Sequence, residues 1–260
     1  MSSPPYDNVP LFTRTTTSDG LRFTEALGFR KGAKIDGVEA PHLYVYERAK
    51  PKVSNAPLYD SYRGGTADRR ALSVTVAREF NDWLRVAAIR SAVYIGEQEC
   101  PYEEEFDGND FTAVHLLGYV GNESAGCIRI RHFADFAKIE RLAVRKEFRN
   151  TRLSFQLVKA AIEFCRAKGY RRIYGHAQRR LMHFWSRFGF VPLPGGKEFV
   201  FSDFDYVEIV VELEAHPDPV RIGSDPYVVI RPEGRWHEPG ILEKSAERPV
   251  SRPSVQVTAP

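Results

Sequence analysis

The sequence predicts an α/β protein built on a mixed central sheet flanked by helices, with poorly structured N- and C-terminal extensions. Three observations lead there. Between about residues 71 and 214, strand-like runs and runs of helical period follow one another in the order β-α-β-β-β-α-β-α-β. The segment Lys138 to Ala161, KIERLAVRKEFRNTRLSFQLVKAA, passes from an apolar strand through a cationic loop into an amphipathic helix. Both flanks shift in composition, toward Pro, Gly and Ser in residues 1–70 and toward proline in residues 215–260.

ALSVTVA (Ala71 to Ala77) reads as a strand. Glu79 to Gly96 carries Phe80, Leu84, Ala87, Ala88 and Ala92 at helical spacing and reads as a helix. An acidic loop with Pro101 and Gly108 as breakers follows. AVHLLGYV and GCIRIRHF are strands joined by the hairpin signal GNES. In the second of them Ile128 and Ile130 alternate with Arg129 and Arg131, which predicts one wet face. Ile139 to Val144 is a strand, and a helix runs from about Thr151 to Lys168, where Gly169 ends it. RRIYGHA (Arg171 to Ala177) is a strand, Arg179 to Arg187 a short helix, and YVEIVVEL (Tyr206 to Leu213) the last strand of the set. PYVVIRP (Pro226 to Pro232) is offered as an edge strand, and the last dozen residues as disordered.

Composition narrows the function classes. Hydrophobic residues make up 43% and aromatic residues 12%, as in globular proteins, and the net charge is +3. The charge is unevenly placed. Glu97 to Asp110 holds seven acidic residues and no Lys or Arg, whereas Arg141 to Arg187 holds thirteen Lys or Arg against Glu147 and Glu163. That basic block suits an anionic partner, such as a phosphorylated cofactor or an acidic carrier protein. It lacks a nucleic-acid reading motif, so no nucleic acid is expected. The three cysteines, Cys100, Cys127 and Cys165, lack metal-ligand spacing, and no metal is expected. Cys127 and Cys165 read as reduced core residues, which implies a reducing compartment. No apolar run approaches the ~20 residues that span a bilayer. The N-terminus lacks the order of a signal peptide, and the expected location is the cytoplasm.

The turn between the Lys138 strand and its helix combines free backbone N–H groups with Arg145, Lys146, Arg149 and Arg152. Such a turn is a natural phosphate cradle, and an ordinary basic βα loop is the competing reading. From Ala71 to Leu213 the element order and motifs resemble the GNAT superfamily of acyl-CoA N-acyltransferases. LAVRKEFRNTRLSFQLV resembles the family's strand, pyrophosphate loop and helix. FWSRFGF (Phe184 to Phe190) resembles its late aromatic helix ending in Gly-Phe, and Gln178 stands where an Asn or Gln contacts the pantetheine arm. The resemblance implies a mostly antiparallel sheet and an acyl-CoA co-substrate, acetyl-CoA or a longer one. It assigns that ligand to Leu142, Ala143, Val144, Arg149, Asn150, Thr151, Arg152, Leu153, Ser154, Gln178 and Trp185. Two departures stand out. Arg152 and Ser154 occupy the loop's usual glycine positions, and Trp185 replaces the Tyr whose hydroxyl protonates the leaving thiolate.

The implied reaction is direct attack of an amine on a thioester, which needs a base. Glu140, two residues before Leu142, is expected to share its face and to have a pKa raised by partial burial, with an ion-pair partner of Arg129, Arg131 or Arg141 as the alternative reading. Tyr174 and His176 are the other candidates, with a satisfied core histidine as the alternative for His176. The stretch Arg90 to Leu117 resembles that of small bacterial GNAT proteins and of the acyl-homoserine-lactone and N-acyl amino acid synthases. Glu105, Asp107 and Asp110 are accordingly expected to receive a cationic amine, with Arg90 able to pair with them and fix the loop. Three functions remain open at this stage: acyl transfer from CoA to a small-molecule amine; the same chemistry from a long-chain acyl carrier protein; and a degenerate fold that binds an acyl-CoA or a protein partner. A homodimer is compatible with each.

Overall fold

The computed structural model describes residues 56–201, 203–244 and 249, together with three short strands before them. The chain divides into two units, Met1–Asn55 and Ala56–Pro260. In the first, β1 (Phe12–Thr15), β2 (Phe29–Lys34) and β3 (Tyr44–Arg48) form an antiparallel sheet in the order β1-β3-β2.

In the second unit a single large sheet holds β4 (Leu72–Val76), β5 (Val114–Val120), β6 (Glu123–His132), β7 (Ala137–Val144), β8 (Arg172–Gln178), β9 (Val191–Pro192), β10 (Glu198–Phe201) and β11 (Phe204–Glu212). Its order is β10-β11-β8-β7-β6-β5-β4, with β9 also on β11. Every pairing is antiparallel except β7 with β8. The mixed, mostly antiparallel sheet expected from the sequence is present. β9 and β10 were not anticipated, being short and half-exposed.

Helix α1 (Phe80–Arg90) opens with a capping box between Glu79 and Asp82 and runs into a π-helical segment, Ser91–Glu97. A one-turn helix, α2 (Tyr102–Glu105), lies in the acidic loop. Helix α3 (Leu153–Ala167) ends at Gly169, whose φ of +88° only glycine adopts cheaply. Helix α4 (Met182–Ser186) continues a 3-10 turn over Arg179–Leu181. Pro226–Val229 is a short helix, α5, rather than the expected edge strand, because Asp225 caps it and Pro226 takes its first position.

The sheet carries α3 on one face and α1 on the other. Ile128, Ile130, Ile139, Ile173 and Ala177 join Leu153, Leu157, Ala161 and Phe164 in the larger core. Leu117, Tyr119, Cys127 and Ala143 join Val86, Ile89 and Val93 in the smaller. The apolar stripe that betrays α1 in the sequence is its outer one: Phe80 is 71% and Leu84 49% exposed, whereas Val86, Ile89 and the charged Arg90 are buried. Gly118 and Gly126 sit opposite each other on β5 and β6, beneath Leu157 of α3. A Cβ at either would lie about 3 Å from that side chain, so the glycines let the start of α3 settle onto the sheet.

Residues 56–70, read from the sequence as part of the N-terminal extension, pack into the second unit: Tyr59 and Asp60 are buried. Asp60 meets Arg78 at 3.0 Å, Arg63 at 3.3 Å and Arg235 at 3.4 Å, with His237 and Glu238 beside it. Three guanidiniums on one carboxylate make this cluster an ion-pair latch for the C-terminal segment rather than a metal site. Lys168 and Glu233 add a pair, and Trp236 packs on Phe164 at 5.5 Å. The disorder expected over the last dozen residues falls outside the described residues, apart from Pro249.

Candidate active site

The geometry starts from a defect. β7 and β8 pair in parallel only over Ala137–Ile139 and Ile173–Gly175, and then the register ends. One residue further, the β6–β7 ladder shifts between Arg129–Glu140 and Cys127–Ala143, and Arg141 takes a φ of +54°. This bulge puts one extra residue into β7 and frees its backbone from the ladder. Tyr94, carried by the π-helical segment, donates its hydroxyl to the Leu142 carbonyl at 2.8 Å, replacing the partner that β8 no longer supplies.

The bulge overturns one expectation. Leu142 packs with the α3-side core, while Glu140 bonds to Arg129 on the α1 side. The two do not share a face, because the inserted residue reverses the strand's alternation.

Two connected cavities occupy the gap. One of about 400 Å³ is lined by Asp107, Arg131, Lys138, Glu140, His176, Gln178, Trp185, Phe199, Phe201 and Tyr206. The other, of about 670 Å³, is lined by Glu97, Val144, Arg149, Ser154 and Phe204. Gln98, Leu142, Arg180, Leu181 and Phe184 line both, so the cavities are two ends of one trough.

At the second end lies the start of α3. Leu153 N–H donates to Thr151 Oγ1 at 3.2 Å, and Thr151 Oγ1 donates to the Phe148 carbonyl. Among the described residues, the Ser154 and Phe155 N–H groups have no protein acceptor, and the exposed Arg152 has no ion-pair partner. Arg149 bridges to Glu97 at 2.6 Å and to the Val144 carbonyl at 3.1 Å. Asn150 is exposed. The Leu153 and Ala143 side chains are sealed in the two cores, so any contact of these residues with a ligand is through the backbone.

At the first end, Tyr174, His176 and Gln178 lie on the α1-side face of β8, opposite Ile173 and Ala177. Tyr174 donates to Glu208 of β11, and its oxygen lies 2.7 Å from His176 Nε2. Glu208 is held below the usual carboxylate range by the Lys197 N–H and by Tyr174, so it is an ionised acceptor. With the phenol's proton committed to Glu208, its oxygen accepts from Nε2–H, which leaves His176 Nδ1 as the ring's basic nitrogen. Among the described residues Nδ1 has no hydrogen-bond partner. Burial, reinforced by Lys138, lowers the His176 pKa to about 4, so the ring is neutral at pH 7.

Glu140 is a different kind of group. It accepts from Arg129 at 2.9 Å and pairs with Lys138 at 2.7 Å. Burial pushes its pKa up, but the two cations outweigh burial, and the net shift is downward. This corrects the expected rise, and both carboxylate oxygens are already held by a cation, whereas His176 Nδ1 is not held by any group among the described residues.

The acidic loop is mostly unavailable to a substrate. Glu105 is 1% exposed, between Arg90 and Arg141, and Asp110 is 8% exposed, between Arg90 and Arg129. Of Glu105, Asp107 and Asp110, it is Asp107 that lines the trough, with Arg129 at 2.6 Å. Arg129, read from the sequence as lying on a wet face, is fully buried among Asp107, Asp110 and Glu140. The Glu105 and Asp110 carboxylates are therefore spent on fixing the loop to the sheet.

His115 and His132, like His176, have pKa values lowered to about 4, chiefly by burial. Unfolding restores about 6.5. Each neutral ring thus contributes stability that is complete above pH 6.5 and lost as pH falls toward 4, because only the unfolded state takes up the proton in that window. His132→Phe, which keeps the stacking on Tyr170, is expected to reduce the pH slope of unfolding free energy there by about 1.4 kcal/mol per pH unit. Urea titrations at several pH values measure it, and an unchanged slope would place His132 outside the transition.

Known proteins share this architecture. The sequence model of the Acetyltransferase (GNAT) family matches residues 79–190. A candidate N-acetyltransferase from Lactobacillus plantarum superposes with a TM-score of 0.52 at 20% identity, over 55% of this chain and 99% of that one. YjcF of Bacillus subtilis, an uncharacterised N-acetyltransferase, is 26% identical over 122 residues, which is 47% of this chain and 86% of YjcF. Protein ElaA of Escherichia coli is 32% identical over 111 residues, which is 40% of this chain and 72% of ElaA. With that family match, that identity over most of ElaA, and a splayed strand pair at the centre of the fold, the chain belongs to the GNAT acetyltransferase family.

Proposed function

We propose that this protein transfers an acyl group, in the first instance acetyl, from acyl-CoA to a small-molecule amine. The observation that carries the reading is the trough between β7 and β8, with unpartnered N–H groups of α3 at one end and a neutral His176 at the other. The first suits a pyrophosphate, helped by Arg152 and the Ser154 hydroxyl. Arg152 and Ser154 thus replace the approach that glycines would give with a cation and a donor. The second suits an incoming amine. Arg149 serves the phosphate once it lets go of Glu97.

The chemistry follows from the residues present. An amine held at the first end attacks the thioester carbon; the C–N bond forms and the C–S bond breaks. Backbone freed by the Arg141 bulge is the natural carbonyl-polarising element, held in place by Tyr94. His176 Nδ1 takes the amine proton, and the Tyr174–Glu208 pair fixes the tautomer that makes it basic. Trp185 has no proton to give at neutral pH. In the same wall, Gln178 Nε2 donates to the Tyr206 oxygen at 3.2 Å, which leaves the Tyr206 proton free for the departing thiolate. The three cysteines are buried, and burial pushes the Cys127 and Cys165 thiols up to about 12, which fits a reducing cytoplasm. Among the described residues, no helix is long and apolar enough to cross a membrane.

Acetyl-CoA at about a hundred times its Kd is expected to stabilise the protein by about 2.7 kcal/mol, visible as a rise in Tm. Arg152→Glu is expected to weaken that binding at least tenfold by placing an anion beside the phosphates. A shift with long-chain acyl compounds alone would favour an acyl carrier protein as donor, and no shift with any of them would favour a binding protein without transfer.

A further inference from the structure

Charge in the acceptor end of the trough does not balance: among the described residues Arg180, whose Nε donates to Gln178, has no carboxylate partner, and on the sheet itself the excess resides in Arg131. The ion network behind the wall closes on itself. Arg90, Arg129, Arg141 and Lys138 are matched by Glu105, Asp107, Asp110 and Glu140. Arg131 stands outside it. It follows Arg129 by two residues on β6, on the same face, opposite Lys138 of β7. Its side chain is only 26% exposed, and it lines the trough. Among the described residues its guanidinium makes no hydrogen bond. The nearest carboxylate, Glu140, is 4.0 Å away and already held by Arg129 and Lys138. The other contact is the Phe133 ring at 5.1 Å. A guanidinium carries five N–H donors, and those of Arg131 face the trough without a protein acceptor, open to a ligand that supplies one.

We propose that Arg131 is the acceptor-recognition residue, and that the acceptor is an amine bearing its own carboxylate, as an amino acid does. The inference rests on the acyl-transfer reading above. Lys138 faces Tyr174 across the parallel pair, so Arg131 and the His176–Tyr174 unit lie two strand spacings apart, about 10 Å. Lys138 stands on the strand between them with its ammonium on Glu140, and Arg131 and His176 line the cavity from its two sides, a span that suits a carboxylate and an amine one carbon apart. Phe199, Phe201 and Tyr206 wall the same space and suit a flat or apolar side chain. The carboxylate docks on the Arg131 fork, a bidentate match of geometry as well as charge. This reverses the polarity expected from the acidic loop: the cleft selects for an anion on the acceptor, since the loop's carboxylates are already neutralised.

The test pairs acceptors that differ only in the carboxylate, phenylalanine with phenethylamine and tyrosine with tyramine, on wild type and Arg131→Gln. Acylation is read with acetyl-CoA, and equilibrium binding of the same four amines is read by calorimetry. Phosphoethanolamine against ethanolamine forms a separate arm for a phosphate anion. Wild type is expected to favour the amino acid over its decarboxylated partner by about tenfold or more in kcat/KM and in affinity. Arg131→Gln is expected to bring both ratios close to one, and Arg131→Lys to restore them in part. A wild-type preference for the decarboxylated amines, or equal losses on both members of each pair, overturns the proposal. A preference for phosphoethanolamine alone replaces the carboxylate with a phosphate and overturns the amino-acid class. Arg131-dependent binding of the amino acids without turnover leaves the recognition assignment standing and removes the transfer reading.

Discussion

Arg129→Met is expected to destabilise the protein by about 3–5 kcal/mol, enough to unfold a marginally stable domain. The methionine fills much the same volume, so the effect is not a cavity. It is the abandonment of Asp107, Asp110 and Glu140 around a position from which water is excluded. Because the three carboxylates would have to be protonated to persist, the variant should recover part of its stability as pH is lowered toward 5, against the trend set by the histidines. Arg131→Gln, two residues along the same strand, should stay within about 1 kcal/mol of wild type, since its guanidinium holds no structural partner. Urea unfolding of the two variants side by side decides the matter. Equal losses would mean that Arg131 is built into the fold and is not held ready for a ligand.

His176→Ala is expected to lower turnover by about 10²–10⁴-fold while leaving acetyl-CoA binding intact, because it removes the base and touches nothing at the α3 end of the trough. Glu208→Gln should cost less but leave a characteristic mark. Without an ionised acceptor, Tyr174 is free to donate to His176, and the imidazole proton shifts toward Nδ1, the nitrogen that must be bare. Its activity should therefore fall without any change in donor affinity. Above about pH 5 the wild-type ring is already neutral. The rise of rate with pH should follow the ionisation of the acceptor amine and shift when an amine of different pKa is used. Survival of turnover in His176→Ala together with its loss in Glu140→Gln would hand the base role to Glu140, in spite of its cationic partners.

The parts of the fold that depend on apolar period were legible in the sequence. β5, β6, β8, β11 and α3 lie within a few residues of where alternation and helical spacing put them. What escaped were features set by contacts distant in sequence. The stripe Phe80, Leu84, Ala88, Ala92 signals a helix but does not say which side is wet. The true inner side contains Arg90, a residue that any hydrophobic tally counts as outside. Arg129 failed in the same way: Ile-Arg-Ile-Arg looks like an exposed edge unless Asp107, Asp110 and Glu140, far along the chain, are known to converge on it. The Arg141 bulge has no local signature, since Arg at positive φ is neither glycine nor asparagine. Without the bulge, the two-residue spacing of Glu140 and Leu142 points to the wrong face. Glu208 was visible, the first of two acids inside YVEIVVEL, yet only its pairing opposite His176 gives it a role. Tyr94 gave no signal, because nothing in the sequence announces the π-helical winding that carries it to Leu142.

The extra residue at Arg141 also divides one strand into two independently tunable halves. Lys138 and Glu140, before it, lie on the α1 side; Leu142 and Val144, after it, lie on the α3 side, so under the proposed reaction the first pair faces the amine and the second the thioester arm. The cleft-facing residues of the two halves thus lie on opposite sides of the sheet, while Ile139 and Ala143 take the alternate sides in the cores. Substitutions that re-tailor the choice of amine can therefore accumulate without disturbing the donor, and the reverse holds too. A deletion of one residue here would join the two halves into a single regular strand, and with them the two selectivities.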